Sequence, residues 1–192
     1  MDQLLALDRY LFGKINLDWT NGFFDWLFPA ITDLHKTPAF LFAVLPALAF
    51  WIFRRRTEAL KWILVMIVAA GISDAFSYRV LKATTMRLRP VETGMAVQLR
   101  THHHSGSSFP SNHSANVFAS AAVLSAAIPT AAPVWFLIAA AVGYSRVYVG
   151  VHFPLDVLAG AFVGIAIAMI TMRVFRRWIG SSSREQSSNR SS

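Results

Sequence analysis

The residues able to do chemistry stand in three short stretches. In "YSRVYVGVHFPLD", His152 and Asp156 lie four residues apart, with Arg146 upstream and Pro154 between them. Pro154 suits the first turn of a helix, which puts Asp156 near that helix's positive end. A carboxylate there can orient a neighbouring imidazole and stabilise its cationic form. The competing reading makes Asp156 a plain helix cap and His152 a bystander. In "SFPSNHSANVF", Pro110 fixes the chain's direction, Ser111 or Asn112 can cap the apolar helix that follows, and His113 sits just inside it. Free N–H groups at a helix start bind phosphate, so this stretch reads as an anion cradle with one titratable group. A capping serine beside an ordinary interfacial histidine is the alternative. In "LKATTMRLRP", Lys82 and Arg89 are seven residues apart and share one helical face if the helix persists to Pro90. Two cations aimed at one spot suit an anion, although snorkelling toward lipid phosphates uses the same residue types. Arg87 lies off that face and reads as an ordinary interfacial arginine.

The elements that position these residues are apolar. Of 192 residues, 55% are hydrophobic and the mean hydropathy is +0.45, more apolar side chain than one water-soluble domain needs. Five apolar segments read as helices, at 38–53, 57–81, 112–128, 133–149 and 155–175. The expected fold is all-α: a polytopic membrane helix bundle of five to six transmembrane helices with N-terminal interfacial helices. The net charge of +8 is not gathered on a polar domain with interleaved aromatics, so nucleic acid is not an expected partner. Arg54, Arg55, Arg56 and Lys61 crowd the first connection, and Arg173, Arg176, Arg177, Arg184 and Arg190 follow the last segment. Both groups belong in the cytoplasm, which puts 89–110 and 148–156 together on the outer side. The absence of cysteine removes disulfides and thiol chemistry.

Residues 1–36 mix five acids and three bases with aromatics, as in "LDRYLFGKINL", and suit helices lying in the interface. A short extra crossing near 22–34 would move the N-terminus to the inner side. The division expected is 1–36 interfacial amphipathic segment, 37–179 transmembrane domain, and 180–192 a disordered, Ser-rich polar tail.

Taken together, "KATTMRLRP", "PSNH" and "SRVYVGVHFPLD" resemble the three ordered motifs of the type 2 phosphatidic acid phosphatase family: Lys-x6-Arg-Pro, Pro-Ser-Gly-His and Ser-Arg-x5-His-x3-Asp. Asn112 stands where the second motif usually has Gly. The resemblance extends from about Thr37 to Phe175. It implies a phosphatase in which His152 attacks phosphorus to give a phosphohistidine, Asp156 holds and activates it, and His113 protonates the leaving oxygen. It also implies that Lys82, Arg89, Arg146, Ser111 and Asn112 with the backbone after Ser111 hold the phosphoryl oxygens. No metal or other cofactor is expected, since cations and helix N–H groups supply the charge stabilisation that phosphoryl transfer needs.

A phosphate site at headgroup level is reached most easily by an amphiphile, so the expected partners are the bilayer and a lipid phosphate or diphosphate. Undecaprenyl diphosphate leads, with phosphatidylglycerol phosphate, phosphatidic acid and the 1-phosphate of lipid A as alternatives. The location expected is a bacterial plasma membrane. An anion or lipid transporter would use similar polar residues but should show broken helices or repeated halves, and none is evident. A non-catalytic lipid binder has no use for His113, His152 and Asp156. The triplet His102, His103, His104 could suggest metal, yet adjacent histidines on a loop seldom converge on one ion. Asp74, inside an apolar segment, needs a partner, and Tyr78 one turn on is the candidate.

Overall fold

The computed structural model describes residues 2–32, 42, 45–55, 57–102 and 105–188, with no account of side chains from 181 onward. Asp33, His103, His104, Arg56 and most of the first apolar segment before Leu45 lie outside the described residues. The described chain is helical, without a strand. Its elements are α1 Asp2–Gly13, α2 Gly22–Thr32, α3 Leu45–Arg55, α4 Thr57–Phe76, α5 Lys82–Thr85, α6 Asn112–Ala127, α7 Ala132–Tyr148 and α8 Pro154–Ser188. Three stretches, Thr57–Glu92, Pro129–Tyr148 and Pro154–Gly180, are each long and apolar enough to cross a membrane. Leu60, Ile67, Leu137, Phe162, Ile170 and Val174 project outward from them, as side chains facing lipid do.

The bundle closes around small residues. Val65 and Ala69 of α4, Ala119, Ala122 and Val123 of α6, and Ala168 of α8 form its buried centre. Without a hydrophobic driving force in lipid, helices associate through close backbone approach, which small residues permit. Gly160 and Gly164 carry this furthest. A Cβ at Gly160 would stand 2.5 Å from the Ser111 carbonyl oxygen, and one at Gly164 would stand 2.1 Å from that of Ala115. The α6 start, with its motif residues, is therefore pressed directly onto α8.

A second cluster gathers Phe12 and Ile15 from the N-terminal segment with Val147, Tyr148 and Phe153. Phe12 meets Phe153 at 5.3 Å, and Phe28 of α2 meets Tyr148 at 4.7 Å. Asn16, fully buried, donates to the Tyr148 carbonyl at 2.8 Å and the Gln98 carbonyl at 2.9 Å, while accepting from Gln98 N–H at 2.8 Å. The N-terminal helices are thus packed onto the α7–α8 connection. The mixture of aromatics and polar groups that reads as interfacial serves here to satisfy loop backbone.

α8 runs to Ser188. No proline follows Phe153 except Pro154 at its start, and Gly180 alone costs only about 1 kcal/mol against a long preformed helix. One expectation, about the helix after α4, needs correction. It does not persist to Pro90: it passes through a π-helical turn, Ser77–Leu81, then stops at Thr85, with Met86 left-handed at φ 47°. Thr84 and Thr85 turn their hydroxyls back onto the Val80 and Leu81 carbonyls, a local bond that competes with helix propagation.

If the α6–α8 contact sets the site, Gly164→Leu should lower stability by about 3 kcal/mol or more. Gly71→Leu, where a Cβ meets open space, should leave it near wild type. Thermal unfolding followed by size-exclusion chromatography in mild detergent checks both, and equal tolerance of the two would contradict the packing.

Candidate active site

After α7 the chain turns tightly: the N–H groups of Val151 and His152 both donate to the Arg146 carbonyl, at 3.2 and 3.3 Å. Gly150 makes the turn at φ 88°, where a Cβ would meet the Gln98 carbonyl oxygen at 3.1 Å. His152 is thereby buried at the start of α8, with Nδ1 3.6 Å from Asp156 Oδ2. Pro154 and Asp156 occupy the first turn as expected. The Asp156 carboxylate is heavily engaged. Oδ2 accepts from the Phe153 N–H at 2.8 Å and from the Ser108 hydroxyl, and Oδ1 accepts from Arg87 at 2.5 Å.

Burial first, aided by the charges of Arg146 and Arg89 and opposed by Asp156, pushes the His152 imidazole down to about 4. The ring is then neutral near pH 7. A carboxylate facing Nδ1 favours the tautomer with its proton there, which leaves the Nε2 lone pair for nucleophilic use.

Lys82, Arg89, Asn112, His113, Arg146 and His152 line one cavity of about 820 Å³, together with Tyr78 and the 105–107 loop. Lys82 Nζ donates to the Ser107 carbonyl at 2.7 Å, and Arg89 reaches the same carbonyl at 3.4 Å. The two cations converge as expected, but by a different route. Arg89 arrives from an extended residue preceding Pro90, not from a continuous helical face. Its guanidinium is held by the Gly106 and Val151 carbonyls at 3.1 and 3.0 Å, and Arg146 is anchored by the Thr32 hydroxyl at 3.1 Å. α2 therefore buttresses a cavity cation, a contribution without a local signal in the chain.

At the α6 start Ser111 is the N-cap, its hydroxyl accepting from the Ser114 N–H at 3.4 Å while its own N–H donates to the Asp156 carbonyl at 3.0 Å. Asn112 and His113 follow on the cavity wall, half-buried. Asn112 turns its amide to Asp74 at 3.0 Å, and Asn116 one turn on does the same at 3.1 Å. These two, not the largely exposed Tyr78, are the partners of Asp74. The departure from Gly at 112 thus has its own acceptor across the α4–α6 contact. The reading of Arg87 as an ordinary interfacial cation is also wrong. It forks between Asp156 and the buried Asp8, with its plane over the Phe153 ring at 4.4 Å. No group of three metal-ligating side chains occurs among the described residues.

Histidine-selective NMR of the protein in detergent should find His152 still neutral at pH 5.5, where an ordinary histidine is mostly protonated. A midpoint at 6.5 or above would show that the imidazole is not buried as described.

Comparison with known proteins agrees with the fold. Residues 58–179 match the PAP2 superfamily. The crystal structure of Aquifex aeolicus LpxE superposes with a TM-score of 0.67 at 32% identity, covering 87% of this chain and 95% of that one. The first transmembrane PAP2 type phosphatidylglycerolphosphate phosphatase from Bacillus subtilis gives a TM-score of 0.65 at 25% identity, covering 92% and 88%. The undecaprenyl-diphosphatase of Sulfolobus acidocaldarius is 30% identical over 137 residues, 68% of this chain, which spans 62% of that relative's length. The matched segment holds the cation-lined cavity and the His152–Asp156 pair, and the chain belongs to the PAP2 superfamily.

Proposed function

We propose that the chain hydrolyses a lipid phosphate or diphosphate through a phosphohistidine on His152, with undecaprenyl diphosphate as the leading substrate. The observation that carries this reading is a buried histidine backed by a carboxylate at the edge of a cavity lined by Lys82, Arg89 and Arg146. In the first step the His152 Nε2 lone pair attacks phosphorus, the bond to the leaving oxygen breaks, and His113 gives that oxygen its proton. In the second, His113 takes a proton from water, the water oxygen attacks phosphorus, and the P–N bond breaks to free phosphate and His152. Asp156 holds Nδ1–H and offsets the positive charge that grows on the ring. Lys82, Arg89, Arg146 and the N–H groups following Ser111 take the equatorial oxygens, with Ser111 fixing where that helix begins and Asn112 shaping the cavity wall beside it.

The Sulfolobus relative's name supports a polyprenyl diphosphate substrate; the Bacillus structure's title supports phosphatidylglycerol phosphate as the second reading. The arginine clusters at 54–56 and after 172 support a topology of five to six crossings with the cavity on the outer face of a bacterial plasma membrane. Division into a 1–36 segment and a 37–179 phosphatase unit belongs to the same proposal, although Asp8 and Asn16 tie the first to the second.

Phosphate release from a panel of lipid phosphates in detergent tests this, and should persist in excess EDTA and be blocked by vanadate. His152→Ala should lose turnover with every substrate. His113→Ala should lose roughly 10²–10⁴-fold with lipid esters, and less with an activated ester such as p-nitrophenyl phosphate if it is accepted. Activity that EDTA abolishes and a divalent ion restores, or near-normal turnover by His152→Ala, would overturn the proposal.

A further inference from the structure

Asp8 is the one acid in the stretch "LLALDRYLF", where the other charge is the exposed Arg9, and its side chain is wholly buried. Two groups meet it. Oδ1 accepts the Leu155 N–H at 2.8 Å, and Oδ2 pairs with one arm of Arg87. The other arm of the same guanidinium pairs with Asp156 Oδ1 at 2.5 Å. Arg87 is not among the residues lining the phosphate cavity; it lines a separate pocket with Leu5, Phe153 and Leu155.

We propose that Asp8 and Arg87 are positioning residues: α1 uses the Asp8–Arg87 ion pair to fix the rotation of the Asp156 carboxylate, so that Oδ2 is presented to His152 Nδ1. The idea rests on His152 being the nucleophile. Its physics is geometric. With Oδ1 engaged by Arg87, Oδ2 is left for Ser108, the Phe153 N–H and the imidazole. Arg87 is itself held at three points, by Asp156, by Asp8 and by the face of Phe153, so its plane has little freedom. Removing the Asp8 charge leaves Arg87 with one carboxylate, and the fork can then swing. Asp8 acts twice, because its Leu155 contact also satisfies an N–H in the first turn of α8, from which Asp156 projects.

The fork requires a guanidinium, since an ammonium is a point charge that cannot address two carboxylates with fixed geometry. Arg87→Lys should therefore rescue only part of the loss in Arg87→Gln. Asp8→Asn is the sharper variant, because an amide oxygen can still accept from Leu155 while the charge on Arg87's second arm is gone.

The test combines kinetics with a readout that does not need turnover. On whichever phosphate ester the wild type hydrolyses, kcat should fall by about 10²-fold in Arg87→Gln and by about 10-fold in Asp8→Asn, with KM nearly unchanged, because the cavity cations are untouched. Combined with Asp156→Asn, Arg87→Gln should cost little more, as expected of residues acting through one another. In parallel, ¹⁵N NMR of the His152 ring should shift from the Nδ1–H tautomer toward a mixture in both single variants, at pH values where the fold is intact by size exclusion. If the wild type released no phosphate from any ester, the functional reading would fail and the NMR comparison would still decide the positioning. Unchanged tautomer and kcat in Asp8→Asn, losses that add to those of Asp156→Asn, or a rise in KM alone would overturn it.

Discussion

One carboxylate, that of Asp156, organises the site. It is wholly buried, and a bare buried charge in a membrane protein costs several kcal/mol. Every segment that carries a motif residue comes to it. The 105–111 loop brings Ser108, the 86–89 segment brings Arg87, the α7–α8 turn brings the Phe153 N–H and His152, and the Asp156 carbonyl accepts from the Ser111 N–H at 3.0 Å. Satisfying the charge and assembling the cavity are the same event. Losing one partner therefore disturbs the others, because an unsatisfied buried acceptor costs more than its hydrogen bond contributes.

That constraint explains the close packing elsewhere. Ser111 can reach Asp156 only if α6 lies against α8, and Gly160 and Gly164 remove the side chains that would hold them apart. α2 and α1 fit the same logic from the other side: Thr32 anchors Arg146, and Asp8 anchors Arg87. The N-terminal helices are part of the support of the site, which gives a reason for buried polar groups in a segment whose composition suits a membrane surface.

Much of this was legible in the chain. Spacing and capping chemistry placed the α6 start at Ser111 or Asn112 and put Pro154 and Asp156 in the first turn of α8, because caps and first-turn residues are local properties. The convergence of Lys82, Arg89 and Arg146 was also anticipated, although the helical periodicity used to join the first two was not the mechanism. What stayed hidden depends on tertiary contact. Arg87 looked idle because its partners are 69 and 79 residues away in the chain. Asp74 was assigned to a neighbour one turn on, when its partners lie across a helix contact at Asn112 and Asn116. The acid within "LLALDRYLF" was the available signal: a buried carboxylate among apolar side chains calls for a cation, and the sequence offers the adjacent Arg9 as readily as the distant Arg87.

The most direct test of His152 as nucleophile is to trap the intermediate. Enzyme mixed with ³²P-labelled lipid diphosphate would be quenched within milliseconds in alkaline detergent, where phosphohistidine survives, and the labelled peptide mapped. Label on His152 in the wild type, absent in His152→Ala, is the expected result. Label on His113, or full turnover with no labelled peptide at any quench time, would contradict it.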